Sequence, residues 1–133
     1  MIKNIVGFTL IELMLALAIS VILVTIGYPT YTHYQTHAQR NRAQAALMQL
    51  AAKLELYFND NGTYAGATLA SLHATQLTQG ILYQLKIQAG DAHFEIEAIP
   101  QEAQANRDTR CGTLTLTDTN QRGADGDVNT CWS

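Results

Sequence analysis

Glu12 is the only charged residue among the nineteen that run from Phe8 to Ile26. An acidic side chain inside so apolar a run costs about 2.5–3.5 kcal/mol on membrane-insertion scales, so a carboxylate kept there ordinarily has a task. If a helix starts just before it, the carboxylate stands one turn inside, where unpartnered N–H groups and the helix dipole favour negative charge. Other constellations could also carry chemistry. Asp118, Asn120, Asp125 and Asp127 offer oxygen ligands in a glycine-containing stretch, as a calcium loop does. Their spacing is not that of an EF-hand and no glutamate closes the set, so solvated turn residues are the preferred reading. His33 and His37 stand four apart on a helical stretch but lack a third ligand or a His-Glu-x-x-His pattern. Arg107, Arg110 and Arg122, with Lys86 as a possible neighbour, could make a basic strip for nucleic acid, and such binding would be strongly salt-dependent. Asp108, Asp118, Asp125 and Asp127 lie among them in sequence and would offset that field. No Ser/His/Asp array, phosphate loop or paired-carboxylate arrangement stands out. Neither an enzyme nor a cofactor is expected.

The elements that must position these residues fall into an apolar first fifth and a polar remainder, with 133 residues in all, enough for one domain of modest size. The net charge of −3 gives no bulk reason to expect nucleic-acid binding, though it leaves room for a local patch. At about 1.5 Å per residue the helix over Phe8–Ile26 would be about 28 Å long, close to the hydrocarbon thickness of a bilayer. The run is longer than a signal-peptide core and no Ala-x-Ala pattern closes it, so it reads as a retained anchor. Lys3 before the span and Arg40 and Arg42 after it leave the positive-inside rule nearly silent on orientation. Two cysteines, Cys111 and Cys131, in a chain with a membrane-targeting segment suggest a disulfide in an oxidising compartment. Closing that loop would stabilise the fold by roughly 3 kcal/mol in the chain-entropy picture.

Beyond the anchor, Gly27 and Pro29 predict a kink or weak point, because proline removes a helical hydrogen bond and crowds the carbonyl four residues back. Tyr28, Tyr31 and Tyr34 suit an aromatic belt at the membrane surface. From Thr30 to about Phe58 the pattern is helical, with Ala43, Leu47, Leu50, Leu54 and Tyr57 on one face. Arg42, Gln44, Gln49, Lys53 and Glu55 are expected to point away from it, with Arg40 at the edge. Asn59-Asp60-Asn61-Gly62 ends the helix. A short helical turn is expected around Ala67–His73. Strands follow at 81–88 and 94–99, separated by Ala89-Gly90-Asp91, and a third at Gly112–Thr117. The segment 118–130 reads as turns. This is an α+β fold, with one long N-terminal helix packed on a small antiparallel sheet.

Lys3 followed by Gly7-Phe8-Thr9-Leu10-Ile11-Glu12-Leu13-Met14 closely resembles the class III signal of type IV pilins and the related pseudopilins. The resemblance implies cleavage by a prepilin peptidase between Gly7 and Phe8, methylation of the new N-terminal Phe8, and Glu12 as the family's characteristic acidic residue. It places Pro29 where these proteins commonly carry a helix-bending proline. In a packed bundle of such helices Glu12 could neutralise a neighbour's terminal amine, which would tie subunit docking to register. The implied plan is a leader at 1–7, a transmembrane and assembly helix at 8–34, and a globular pilin domain at 35–133 with a disulfide region at 111–131. The implied partners are other pilin subunits, the peptidase and methylase, the pilus assembly machinery and the inner membrane. The implied setting is the inner membrane of a Gram-negative bacterium, then the extracellular pilus, with adhesion, twitching motility and natural competence as the family's tasks. The short cysteine loop and modest size favour a minor pilin of the type IVa class. A type II secretion pseudopilin and a DNA-receptor pilin for competence are the alternatives.

Overall fold

The computed structural model describes residues 7–133. Helix α1 runs Leu10–Asn61 and contains Pro29. It is followed by a 3-10 turn at Thr75–Thr78, strands β1 (Tyr83–Ala89) and β2 (Phe94–Pro100), helix α2 (Glu102–Arg107), strands β3 (Leu114–Thr117) and β4 (Arg122–Ala124), and helix α3 (Val128–Cys131). The chain divides into two compact units, Met1–Gln35 and Thr36–Ser133.

In the first unit, every residue from Gly7 to Tyr31 is exposed, although the stretch is almost wholly apolar. Such a surface needs lipid or other helices around it. Its hydroxyls are satisfied within the helix, as an apolar medium demands: Ser20 Oγ donates to Ala16 O (2.7 Å) and Thr25 Oγ1 to Ile22 O (2.8 Å). Helical structure continues through Gly27 and Pro29, so neither residue terminates α1.

In the second unit, Ala43, Leu47, Leu50 and Leu54 form the buried stripe of α1 and Tyr57 is half-buried. Gln44 departs from the sequence expectation. It is buried, because its amide has a carbonyl to reach at the far end of the chain. The helix ends at Asn61, within the expected breaker at 59–62, and Gly62 takes a φ of +72° and donates its N–H to Phe58 O at 2.7 Å.

The sheet is antiparallel throughout, with strand order β1-β2-β3-β4. Its register stacks Leu85 against Ala98, and Ala98 against Leu114, while Ile96 stands between Ile87 and Leu116. These side chains share the core with the α1 stripe, Tyr83 and Phe94. Tyr64 closes one end, with its ring 4.6 Å from Phe58 and 5.0 Å from Phe94.

Three segments differ from the sequence expectation. Ala67–His73 forms turns rather than a helix, and the helical turn sits later, at Thr75–Thr78. Segment 118–130 contains β4 and α3. β4 forms because β3 leaves an unpaired edge, and three residues are too few to show alternation. A Cβ at Gly123 would strike the Thr115 hydroxyl across the pair, so a larger residue there would force that side chain to turn away. Segment 101–107 holds α2, which has no N-cap side chain to announce it.

Leu50 is fully buried in this core and Leu56 is 63% exposed on the same helix. Denaturant unfolding of the chain should therefore show Leu50→Ala losing about 2–5 kcal/mol, and Leu56→Ala changing stability by about 0.5 kcal/mol or less.

Candidate functional site

The N-terminal unit presents the start of α1. Thr9 precedes the first helical residue, and its backbone N–H and its hydroxyl both lie 2.9 Å from Glu12 Oε2. The Glu12 N–H in turn donates to Thr9 Oγ1 at 3.3 Å. This is a capping box, in which the two residues satisfy each other's exposed groups. Glu12 thus has a partner within its own chain, and the sequence signal for it was the Thr-x-x-Glu spacing. Gly7 and Phe8 stand outside the helix and are exposed. Lys3 and the rest of the expected leader before Gly7 lie outside the described residues.

In the globular unit the cysteine-closed segment is held from several sides. Cys111 and Cys131 form a disulfide, and both are buried. The Cys131 carbonyl accepts from Gln44 Nε2 of α1 at 2.5 Å. The Cys111 carbonyl accepts from Asp125 N–H at 3.1 Å. Gly126 packs on the Arg110 carbonyl so closely that any Cβ would collide with it. Trp132 donates its indole N–H to Gly123 O at 2.8 Å, and the Arg122 guanidinium sits 5.2 Å from the centre of its ring.

Between α2 and Cys111 lies Asp108, which is only 2% exposed. Arg40 of α1 grips it with two donors, Nε to Oδ2 at 2.8 Å and Nη2 to Oδ1 at 2.7 Å. The Tyr83 hydroxyl donates to Oδ2 at 3.1 Å, and Gln104 Nε2, 3.0 Å from that hydroxyl, also donates to Thr36 O. No buried side-chain polar atom among the described residues lacks a partner. The forked, charge-assisted geometry is the strong form of such a pair. Its hydrogen bonds to Asp108 raise the Arg40 pKa above its usual value. Burial, reinforced by the neighbouring Asp108 charge, pushes the Tyr83 hydroxyl up to about 12.

This network corrects one expectation about the candidate cationic strip. Asp108 does not offset the field of Arg107 and Arg110, because its charge is buried and matched by Arg40. Arg107 ends α2 and Arg110 lies in the following turn; both are exposed, and among the described residues neither is in an ion pair. Arg122 is exposed on β4. Lys86 is on the outer face of the sheet, 3.9 Å from Glu97. Sequence reasoning missed Arg40, Tyr83 and Gln104 because their common partner is 68 residues from Arg40 in the chain.

The four oxygen-bearing residues of the C-terminal loops have separate uses. Asp118 faces His93 Nδ1 at 2.8 Å, which holds its carboxyl below the usual range. Asp125 Oδ2 accepts from Thr113 N–H at 2.8 Å. Asp127 caps α3 through the Thr130 N–H and hydroxyl, which lower its pKa as well. Asn120 occupies a turn at φ +60°. Among the described residues no group of three or more His, Cys, Asp or Glu side chains converges as a metal site would need.

Tyr83 fixes an alkaline signature. Its ordinary pKa is 10.0 and the folded value is about 12, so between these the unfolded chain has lost a proton that the folded chain keeps. The folded state then binds more protons, and stability falls as pH rises through that window. Unfolding free energies measured from pH 9 to pH 12 should show this decline, and Tyr83→Phe should flatten it.

Residues 29–115 match the family described as "Type IV minor pilin ComP, DNA uptake sequence receptor". Residues 7–28 match the prokaryotic N-terminal methylation motif. Among solved structures, the non-core minor pilin PilV of Neisseria meningitidis is similar at 20% identity and a TM-score of 0.56, covering 74% of this chain and 94% of PilV. A type IV pilin from Shewanella oneidensis is similar at 25% identity and a TM-score of 0.55, covering 74% of this chain and 98% of that one.

Proposed function

The chain belongs to the ComP family of type IV minor pilins, and from that membership we propose that it is the DNA-binding subunit of a type IV pilus. As a minor pilin it is a structural component of the filament, and its apolar N-terminal helix and methylation motif fit residence in the inner membrane before assembly. The proposal goes further in naming DNA as the ligand. The observation that carries it is the family match over 29–115, which includes Arg107 and Arg110; Arg122 lies beyond it. Those two arginines are exposed and the acid between them in sequence is paired with Arg40, so that acid does not compete with phosphates for them. Arg122, whose guanidinium lies 5.2 Å from the centre of the Trp132 ring, adds a third exposed cation. The pseudopilin reading has no comparable support.

Binding of a labelled DNA duplex to the full-length protein in detergent tests this across a salt series. Affinity should fall linearly on a log–log plot, and Arg107→Ala, Arg110→Ala and Arg122→Ala should each reduce the slope by about 1. Absence of binding at low salt, or slopes unchanged by all three substitutions, would remove DNA from the reading.

For assembly, cleavage between Gly7 and Phe8 would create an amine one residue from the capping box. Glu12 would then exchange its Thr9 contacts for a neighbouring subunit's amine in the filament core, removing two unpaired charges from an apolar medium. Glu12→Ala should still insert in the membrane, because a costly charge has been removed. It should nevertheless appear in sheared pili at a small fraction of the wild-type level, read by immunoblot. Wild-type incorporation would refute the pairing.

A further inference from the structure

The Arg40–Asp108 pair does more than fill a buried site, because of what flanks it. Asp108 lies between Arg107 and Arg110, the two exposed cations of this segment. From Asp108 to Cys111 the backbone is held on three sides. The Asp108 carboxylate is pulled inward by Arg40, Tyr83 and Gln104. The Arg110 carbonyl is packed against Gly126. Cys111 is fixed by its disulfide and by the Asp125 N–H. The Asp108 carbonyl also accepts from the Cys111 and Gly112 N–H groups, at 3.3 and 3.0 Å, which closes the turn on itself. Asp108 points into the core, while Arg107 just before it and Arg110 two residues after it are both exposed.

We propose that the Arg40–Asp108 ion pair is a positioning device for DNA contact: burying and neutralising Asp108 holds Arg107 and Arg110 outward on a fixed backbone, free of the acid between them. This deepens the DNA reading given above and rests on it. Arg40 and Asp108 are positioning residues and do not themselves touch the ligand, since both are largely buried. The pair performs two jobs at once. It removes a negative charge from the place where a phosphate would approach, and it limits the conformations the two arginines must give up on binding.

The sign of one substitution separates this from a simple charge effect. Asp108→Asn makes the protein more positive, so attraction governed by net charge alone would tighten DNA binding. Positioning predicts the reverse, a loss of roughly fivefold or more in duplex affinity at fixed salt, the scale expected when contacting residues lose their mutual arrangement. Arg40→Lys, which keeps the charge but loses the fork, should weaken binding by about twofold or more even though the net charge is unchanged. Tyr83→Phe, which changes no charge and removes one donor to Asp108, provides a gentler loosening should Asp108→Asn fail to fold; it should weaken binding by about twofold.

All variants are measured as full-length protein in detergent, with disulfide formation and circular dichroism as controls for the fold. Each is also made in an Arg107→Ala/Arg110→Ala background. If the pair acts through those arginines, Asp108→Asn and Tyr83→Phe have no further effect there. Unchanged or tighter binding by Asp108→Asn in the otherwise native chain overturns the positioning role while leaving the DNA reading intact. So does a loss that persists undiminished in the double-alanine background. Where Asp108→Asn does not fold, full wild-type affinity in Tyr83→Phe overturns it too. A wild-type chain that binds no duplex overturns both.

Discussion

An apolar stripe on α1 and an apolar face on the sheet form this globular unit, and neither has another way to leave water. Ala43, Leu47, Leu50 and Leu54 cover Leu85, Ile96, Ala98, Leu114 and Leu116. Burial of a leucine or isoleucine side chain is worth about 1.5–3 kcal/mol each, so this seam outweighs any single polar contact in the chain. Everything else is set by its borders. The sheet's register follows from keeping those residues on one side, because a slip by one position would turn them all outward. At one border Phe58, Tyr64 and Phe94 close the core. At another, Arg40 and Gln44 leave the apolar stripe and reach the segments that follow the strands.

Those two polar residues explain how a short C-terminal region acquires a defined shape. β4 has three residues and α3 four, too few for either to persist alone. The disulfide shortens the free chain, but α1 supplies the fixed reference. Gln44 holds the Cys131 carbonyl and Arg40 holds Asp108, so the helix grips both ends of the cysteine-closed loop. A buried charge pair contributes little net stability, because desolvation opposes the Coulombic gain. What it contributes is exclusion of alternatives: a displaced Asp108 would leave Arg40 as an uncompensated, largely buried cation.

The parts of the fold governed by periodicity could be read before any coordinates. The helical stripe, the alternation in β1 and β2 and the breaker at Gly62 all report local burial, and each side chain carries its own share of the signal. Gln44 could not be read this way. Its neighbours made its position look solvated, and only a carbonyl 87 residues on justified burying it. Asp108 failed for the same reason, since a carboxylate between two arginines reads as surface until Arg40 is brought beneath it. Thr9 is a different case, because the Thr-x-x-Glu capping pattern that pairs it with Glu12 is local and legible in the sequence. Long-range polar partnership is what sequence patterns leave unspecified, and the candidate site consists mostly of it.

That distinction bears on how a chain of net charge −3 can present itself to a polyanion. Screening at physiological salt limits exposed charges to a range of about 8 Å, so the distant acids of the outer sheet count for less than the few charges beside a phosphate. Local sign is then decided residue by residue. Arg107 and Arg110 are exposed, Arg122 is braced on Trp132, and the acid between the first two is matched by a cation from α1. Asp118, Asp125 and Asp127 are each turned toward a partner within the globular unit: His93, the Thr113 N–H and Thr130. A protein with a uniformly basic surface binds any nucleic acid through bulk attraction. On the DNA reading, a chain that is acidic overall would instead have to rely on the placement of its few exposed cations, so that geometry rather than net charge would decide the contact.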